Sequence, residues 1–395
     1  MSLIFILSSI FFLAALAITY WIHNQDQLDI ILDADGYPIL PLANAPLISV
    51  CVPARNEERN IKSCVDSILS QDYPNFELIV LEDRSSDSTA EILQSLSDPN
   101  PRLKVLSGSE LPPGWVGKTH ALAQAADHAS PASGGWLCFV DADTLLSSTA
   151  LTSCFLKAVE TNADLFSILT FQVTGSFWEK VVLPLVMTAL SVAFSPRKVN
   201  DPHRKNAIAN GQFIMIKRSV YEAVGRHELI KDQIVEDKAL AKLVKSSRFR
   251  IILADGKQVA RTRMYTSFPG MWEGWTKNIY LGLRDELVLL LLGALGASLL
   301  VIAALLLPAW PLLGLFWFAH GGGWMALAVV AESLILWVYL LAVRATIAHR
   351  MNIPRWYALT TPLGAGVFAA MMLTSAWKVI SRQGVTWRGR KYIPQ

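Results

Sequence analysis

Between residues 44 and 265 short apolar runs alternate with amphipathic segments, and that alternation predicts the architecture. Residues 47–52 read as a strand ending at Pro53. Residues 58–70 follow as a helix, with Ile61, Val65, Ile68 and Leu69 at helical spacing. Residues 76–81 make a second strand. Residues 86–96 open with Ser and Asp suited to a helix cap, Asp87 being the capping residue, and carry Ile92, Leu93 and Leu96. Residues 103–106 read as a short third strand, 120–128 as an alanine-rich helix and 136–140 as a fourth strand. This β-α-β-α order predicts an α/β fold with a mostly parallel sheet and helices on both faces. FELIVL and WLCFV lack apolar/polar alternation, as strands buried on both sides should.

The flanks are different. Residues 3–21 form an apolar run without charge, basic n-region or cleavage signature, which predicts an uncleaved anchor. Residues 287–307 make a second run of spanning length. A third stretch, 310–343, is broken by Gly321, Gly322 and Gly323, and a last one covers 357–380. Glu332 lies inside the third stretch and should face other helices rather than lipid. Four spans are expected and five are the second choice. With one span in 310–343, the basic segments 344–355 and 382–391 fall on opposite sides, whereas the positive-inside rule prefers both in the cytoplasm. The expected organisation is an anchor over 1–22, an α/β domain over 44–265, an interfacial amphipathic segment over 266–286, spans within 287–380 and a basic tail over 381–395. One segment of the α/β domain is out of character. Residues 181–194 are apolar, shorter than a span and interrupted by Pro184, so a membrane-dipping hairpin is expected there.

Composition agrees with a membrane protein: 52% of residues are hydrophobic and only 17% charged. The formal charge of +3, with no basic stripe interleaved with aromatics, gives no case for nucleic-acid binding. Cys51, Cys64, Cys138 and Cys154 have no C-x-x-C spacing and read as buried reduced thiols, so their domain should face a reducing compartment.

Three acidic clusters stand at the edges of apolar runs: Glu82-Asp83, Asp141-Ala142-Asp143 and Glu236-Asp237. Carboxylates at the carboxyl ends of parallel strands point into the crevice where such sheets bind ligands. A D-x-D pair there can hold Mg²⁺ or Mn²⁺, and the cation can hold a diphosphate. Asp143 is the better candidate for the cation; Asp141 is expected on the ribose or assisting at the metal. Lys118 follows two glycines just before a helix, a setting suited to the diphosphate or ribose, although the spacing is not that of a Walker loop. A carboxylate further along, Asp237, can serve as general base.

PARNEERNI, LEDRSSDST, FVDADT, ANGQFIMIKRSVYEAVG and VEDKAL occur in this order and resemble the motif series of family 2 glycosyltransferases. LPPGWVGKTHAL and the tail TWRGRKY are most similar to the hopene-associated members, and the layout resembles that of ceramide glucosyltransferases; carotenoid-acid glucosyltransferases share much of the pattern. The resemblance covers about residues 45 to 280 and implies the GT-A nucleotide-diphospho-sugar transferase fold and an inverting mechanism. By resemblance, Arg55, Asn56 and Glu57 contact the nucleobase, Asp83 hydrogen-bonds it, and Asp237 takes the acceptor's proton with Glu236 orienting it. Asn210, Gly211 and Gln212 fall on the acceptor or sugar side. Processive members carry Q/R-x-x-R-W after the base; here Trp272, Trp275 and Lys277 stand instead, so a lipid acceptor is implied rather than a growing polymer. The implied partners are a nucleotide-sugar donor, expected to be UDP-linked, a hopanoid, carotenoid or sphingolipid-like acceptor, and the bilayer. A polyprenyl-phosphate sugar transferase and a non-catalytic membrane partner are the alternatives.

Overall fold

The computed structural model describes residues 2–25, 30–33, 45–97, 100–130, 134–283, 287–381, 383–387 and 390–392. Contacts divide the chain into two units, residues 27–173 with 194–264, and residues 1–26, 174–193 and 265–395.

Helix α1 (Ser2–Gln25) opens the chain, and the α/β unit follows. It contains β1 (Ile48–Ala54), α2 (Ile61–Leu69), β2 (Phe76–Glu82), α3 (Thr89–Ser97), β3 (Leu103–Ser107), α4 (Gly117–Asp127), β4 (Trp136–Val140), β5 (Thr144–Leu146), α5 (Ala150–Glu160), β6 (Leu165–Leu169) and β7 (Phe171–Gln172). After an excursion through α6 (Phe177–Ala193), it resumes with α7 (Pro196–Asn200), β8 (Phe213–Lys217), α8 (Arg218–Ala223), α9 (Glu236–Ser246), β9 (Ile251–Asp255) and β10 (Ala260–Thr262). The main sheet has the order β3-β2-β1-β4-β8-β6-β9. It is parallel except for β8, which runs against both β4 and β6.

Both faces of this sheet are covered. Val50, Val52, Leu78 and Val80 pack under Ile61, Val65 and Ile68 of α2, while Cys51, Ile79, Leu81 and Phe139 pack under Ala121, Leu122 and Ala125 of α4 and Leu240 of α9. Strands so placed need apolar residues at every position, which is why the expected alternation is missing. Burying each of these larger side chains stabilises by about 1.5–3 kcal/mol. All four cysteines are buried and free, and burial pushes each thiol up, so none is poised as a nucleophile.

Helices α2 and α3 begin three residues later than their pattern predicts, for a definite reason. Glu58 and Asp87 serve the connections instead: the Glu58 N–H donates to Asp87 Oδ2 at 3.1 Å, and the Ser88 N–H donates to Glu58 Oε2 at 3.2 Å. Asp87 Oδ1 also accepts the Thr89 N–H at 3.1 Å, the capping role expected of it.

The second unit holds α1, α6, α10 (Phe268–Leu283), α11 (Leu287–Leu306), α12 (Trp310–Ala319), α13 (Gly323–Arg350), a 3₁₀ turn (Arg355–Thr360), α14 (Thr361–Ile380) and the strand pair β11 (Val385–Trp387) and β12 (Arg390–Tyr392). Arg382 and Arg388 of the basic tail lie outside the described residues. Four helical stretches, Leu3–Ile22, Phe177–Asn200, Gly323–Arg350 and Arg355–Ile380, are long and apolar enough to cross a membrane; α11 and α12, bent by 48° where Pro308 interrupts them, make a fifth if taken as one span. The 310–343 stretch thus divides into a short helix and a long one around the glycines. Glu332 does face another helix, accepting from Ser9 Oγ of α1 at 2.8 Å, and Thr19 and Tyr339 make a second polar contact at 3.0 Å.

The hairpin expected at 181–194 is absent. The segment is part of one continuous helix, α6, with Pro184 inside it, and it belongs to the unit of long apolar helices. A Cβ on Gly364 would lie 2.5 Å from the Val181 carbonyl oxygen, so α14 approaches α6 backbone to backbone at that point.

Candidate active site

Adjacent parallel strands bring the first site residues together. Register places Ala54 opposite Glu82, so Arg55 and Asp83 leave β1 and β2 side by side, and Asp141 leaves β4 on the other side of β1. The Arg55 Nη1 donates to the Asp83 carbonyl at 2.8 Å and lies 3.3 Å from its Oδ2. Asn56 has a left-handed backbone, a conformation asparagine tolerates, and its Oδ1 accepts the Ser86 N–H at 2.8 Å. Glu57 is buried; its N–H donates to Thr89 Oγ1 at 2.8 Å and its Oε2 accepts from Asn60 at 3.0 Å. The two connections therefore form one cross-linked ledge holding Asp83.

Beyond that ledge lies a cluster built on Lys118, near the start of α4. Its ammonium is 2.6 Å from Asp141 Oδ1 and 2.7 Å from Glu236 Oε1, joining a residue that follows β4 to the first residue of α9. The loop that carries it is tied down separately. The Val116 N–H donates to the Lys231 carbonyl at 2.7 Å, and Thr119 Oγ1 donates to the Gln233 carbonyl at 2.9 Å. Burial works against the Lys118 charge, but Asp141, Glu236 and Asp237 outweigh it and hold its pKa well above the ordinary lysine value.

Asp237 is fixed by backbone donors: Gly211 N–H to Oδ2 at 3.0 Å and Lys238 N–H to Oδ1 at 2.6 Å. Burial first, then the like charge of Glu236, pushes its carboxyl up to about 6, against the pull of Lys118 and those two donors. Glycine at 211 keeps the backbone close to the cluster, where a side chain would crowd it. A Cβ there would sit 3.2 Å from Asp237 Oδ2, 3.3 Å from Lys118 Nζ and 3.5 Å from Glu236 Oε1. Gly211→Ala is expected to fold with unchanged melting temperature yet lose roughly tenfold in kcat, because displacing reacting groups by fractions of an ångström is costly; thermal melts alongside steady-state kinetics check both halves.

Neighbouring positions show what pattern reading missed. Asn210 donates to the Ile168 carbonyl at 2.9 Å, and Gln212 Oε1 receives Thr170 Oγ1, Gln172 Nε2 at 3.1 Å and Asn210 Nδ2 at 3.2 Å. Thr170 and Gln172 carry no sequence signal, since they lie far from the N-G-Q motif in the chain. His227 is likewise unsignalled. It is buried with its Nδ1 2.7 Å from Tyr221 Oη, and burial, assisted by the Lys118 charge, pushes it down to about 3, so it is neutral. Trp272, Trp275 and Lys277 lie on α10 in the other unit; Trp275 is buried edge-on to Tyr265, and Trp272 adjoins Phe268.

Asp143 completes the D-x-D turn, which is held by Thr144 N–H to the Asp141 carbonyl at 3.0 Å and Thr262 Oγ1 to the Asp143 carbonyl at 3.0 Å. Among the described residues no three His, Cys, Asp or Glu side chains are grouped to hold a metal by themselves. Two carboxylates on one turn fit a hard cation that takes its remaining oxygens from a diphosphate, rather than a closed protein cage.

A doubly covered, mostly parallel sheet with the Arg55–Asp83 ledge and the D-x-D turn at its strand ends has the GT-A architecture. Residues 49–225 match the model of glycosyl transferase family 2. A 4,4'-diaponeurosporenoate glycosyltransferase of Staphylococcus aureus (strain USA300) is 29% identical over 245 residues, 60% of this chain and 62% of that one. The match therefore spans less than two thirds of that relative's length. Among solved structures, a mannosyltransferase from Pyrobaculum calidifontis in complex with GDP-Man and Mn²⁺ is similar in fold, with TM-score 0.53, 17% identity, and coverage of 95% of this chain and 98% of that one.

Proposed function

We propose that this protein is a membrane-anchored, inverting glycosyltransferase. It moves a hexose from a nucleotide-diphosphate donor, UDP-linked by this reading, to an apolar membrane lipid, with the catalytic unit on the cytoplasmic face. One observation carries the reading: Lys118 draws Asp141, Glu236 and Asp237 onto a single point at the carboxyl ends of the sheet. The acceptor is a lipid hydroxyl or carboxyl group. A carotenoid-like acid fits best, given the acceptor named for the staphylococcal relative; hopanoid and sphingolipid-like alcohols are the other members of the class.

In this mechanism Arg55, Glu57 and Asp83 seat the nucleobase, and Asp141 reaches the ribose. Asp143, with Asp141 assisting, would hold Mg²⁺ or Mn²⁺, which when bound offsets charge on the departing diphosphate. Lys118 donates to the same phosphate oxygens. With a hydroxyl acceptor, Asp237 accepts the proton as the acceptor oxygen bonds to the anomeric carbon and the carbon–oxygen bond to the diphosphate breaks; a carboxyl acceptor makes the same displacement as its ionised carboxylate and passes on no proton. One displacement inverts the anomeric centre. Asn210, Gly211 and Gln212 line the sugar side.

The test uses full-length protein in detergent with UDP-glucose and an apolar carboxylic acid such as a carotenoid acid. Nucleoside diphosphate should be released only with both acceptor and Mg²⁺ or Mn²⁺ present, and chelation should stop it. Release that depends instead on added polyprenyl phosphate would replace the acceptor part of this reading.

A further inference from the structure

Helix α13 carries Arg344 near its carboxyl end, and the side chain is only 5% exposed. Its Nη2 lies 3.4 Å from the Lys180 carbonyl oxygen, while Nε and Nη1 are buried with no hydrogen-bond partner. That carbonyl is available because Pro184, four residues on in α6, has no N–H to give it. A guanidinium does not shed its proton, so a full positive charge sits in the interior with one long hydrogen bond. Burying a charge this way is strongly disfavoured unless an anion joins it.

Among the described residues no protein anion does so. Glu179, the acid nearest in sequence to Lys180, turns its carboxylate back on its own helix start, accepting the Gly175 N–H at 2.8 Å and the Ser176 N–H at 3.0 Å. Neither Arg344 nor Lys180 is in an ion pair among the described residues. The Lys180 ammonium lies 5.9 Å above the Tyr357 ring, a second cation carried by the residue whose carbonyl Arg344 approaches. Phe177 packs on Tyr357 at 5.9 Å, and Trp178 on Phe268 at 4.7 Å. Such rings gather at the depth of lipid head groups.

We propose that Arg344 and Lys180 form a binding site for the phosphate of an anionic phospholipid head group, between α6, α13 and the 3₁₀ turn Arg355–Thr360. The guanidinium fork matches phosphate oxygens, and basic pockets between membrane helices take head groups of this kind. Inorganic phosphate offers the same oxyanion without acyl chains, so it is the control for source.

Full-length protein in dodecyl maltoside is compared with Arg344→Met and Lys180→Met by thermal melting and by native mass spectrometry, with phosphatidylglycerol or inorganic phosphate added. Wild type should be stabilised by phosphatidylglycerol and retain it. Arg344→Met should melt no lower than wild type without lipid, yet lose roughly tenfold in lipid affinity; Lys180→Met should lose less. Undiminished retention by Arg344→Met overturns the proposal, as does a wild type indifferent to phosphatidylglycerol. A lipid-free Arg344→Met melting well below wild type assigns the residue to packing and also overturns it. Equal stabilisation by inorganic phosphate overturns the lipid assignment.

Discussion

With an alcohol acceptor, replacing Asp237 with asparagine is expected to lower kcat on the order of 10²–10⁴-fold, the range for loss of a positioned general base. Donor binding should change little, because the carboxylate accepts from the backbone N–H groups of Gly211 and Lys238 rather than from nucleotide-facing groups. The pH profile gives a separate handle. Burial and Glu236 raise the Asp237 carboxyl to about 6, and the base works only when ionised. kcat/KM should therefore climb as pH rises through about 6 and level off above it. The sign for stability is opposite. A carboxyl whose folded pKa is raised stabilises the fold while protonated, and that contribution is lost as pH rises from the unfolded value towards about 6. Activity and stability should thus move in opposite directions over that window. Unchanged turnover in Asp237→Asn, measured as nucleoside diphosphate release, would remove the residue from the reaction.

How much of this was legible in the sequence depends on how local each feature is. FELIVL and WLCFV declare buried parallel strands, and the carboxylates that end them declare the crevice, because strand burial and strand-end chemistry are written in consecutive residues. Lys118 was legible as an anion-seeking group, but not as the link between Asp141 and Glu236, since its contact with Glu236 joins residues 118 positions apart. The sheet's reversal at β8 was illegible for the same reason: FIMIK reads as a buried strand whichever way it runs. Pro184 misled outright. A proline inside an apolar run ordinarily ends a helix, yet α6 continues through it, with Arg344 of another helix 3.4 Å from the Lys180 carbonyl that Pro184 leaves open. No window of consecutive residues contains that compensation.

Lys118→Met should be the second severe substitution, with kcat reduced on the order of 10²–10³-fold, the cost of removing one preorganised group from developing charge. Its effects should extend beyond phosphate contact. The lysine is the cation between Asp141 and Glu236 and also lowers Asp237, so its removal leaves like charges facing one another. Asp237 should then titrate higher, moving the rising limb of kcat/KM to more alkaline pH; a lysine that only binds phosphate would leave that limb in place. Divalent cation offers a partial substitute for the lost charge. The variant should melt lower than wild type in chelator and regain part of the difference with Mn²⁺, while Gly211→Ala, which keeps all the charges, should show no such recovery. A limb that stays near pH 6 in Lys118→Met, with melting indifferent to Mn²⁺, would reduce Lys118 to a phosphate contact and leave the acidic cluster to be balanced by the donor and its metal alone.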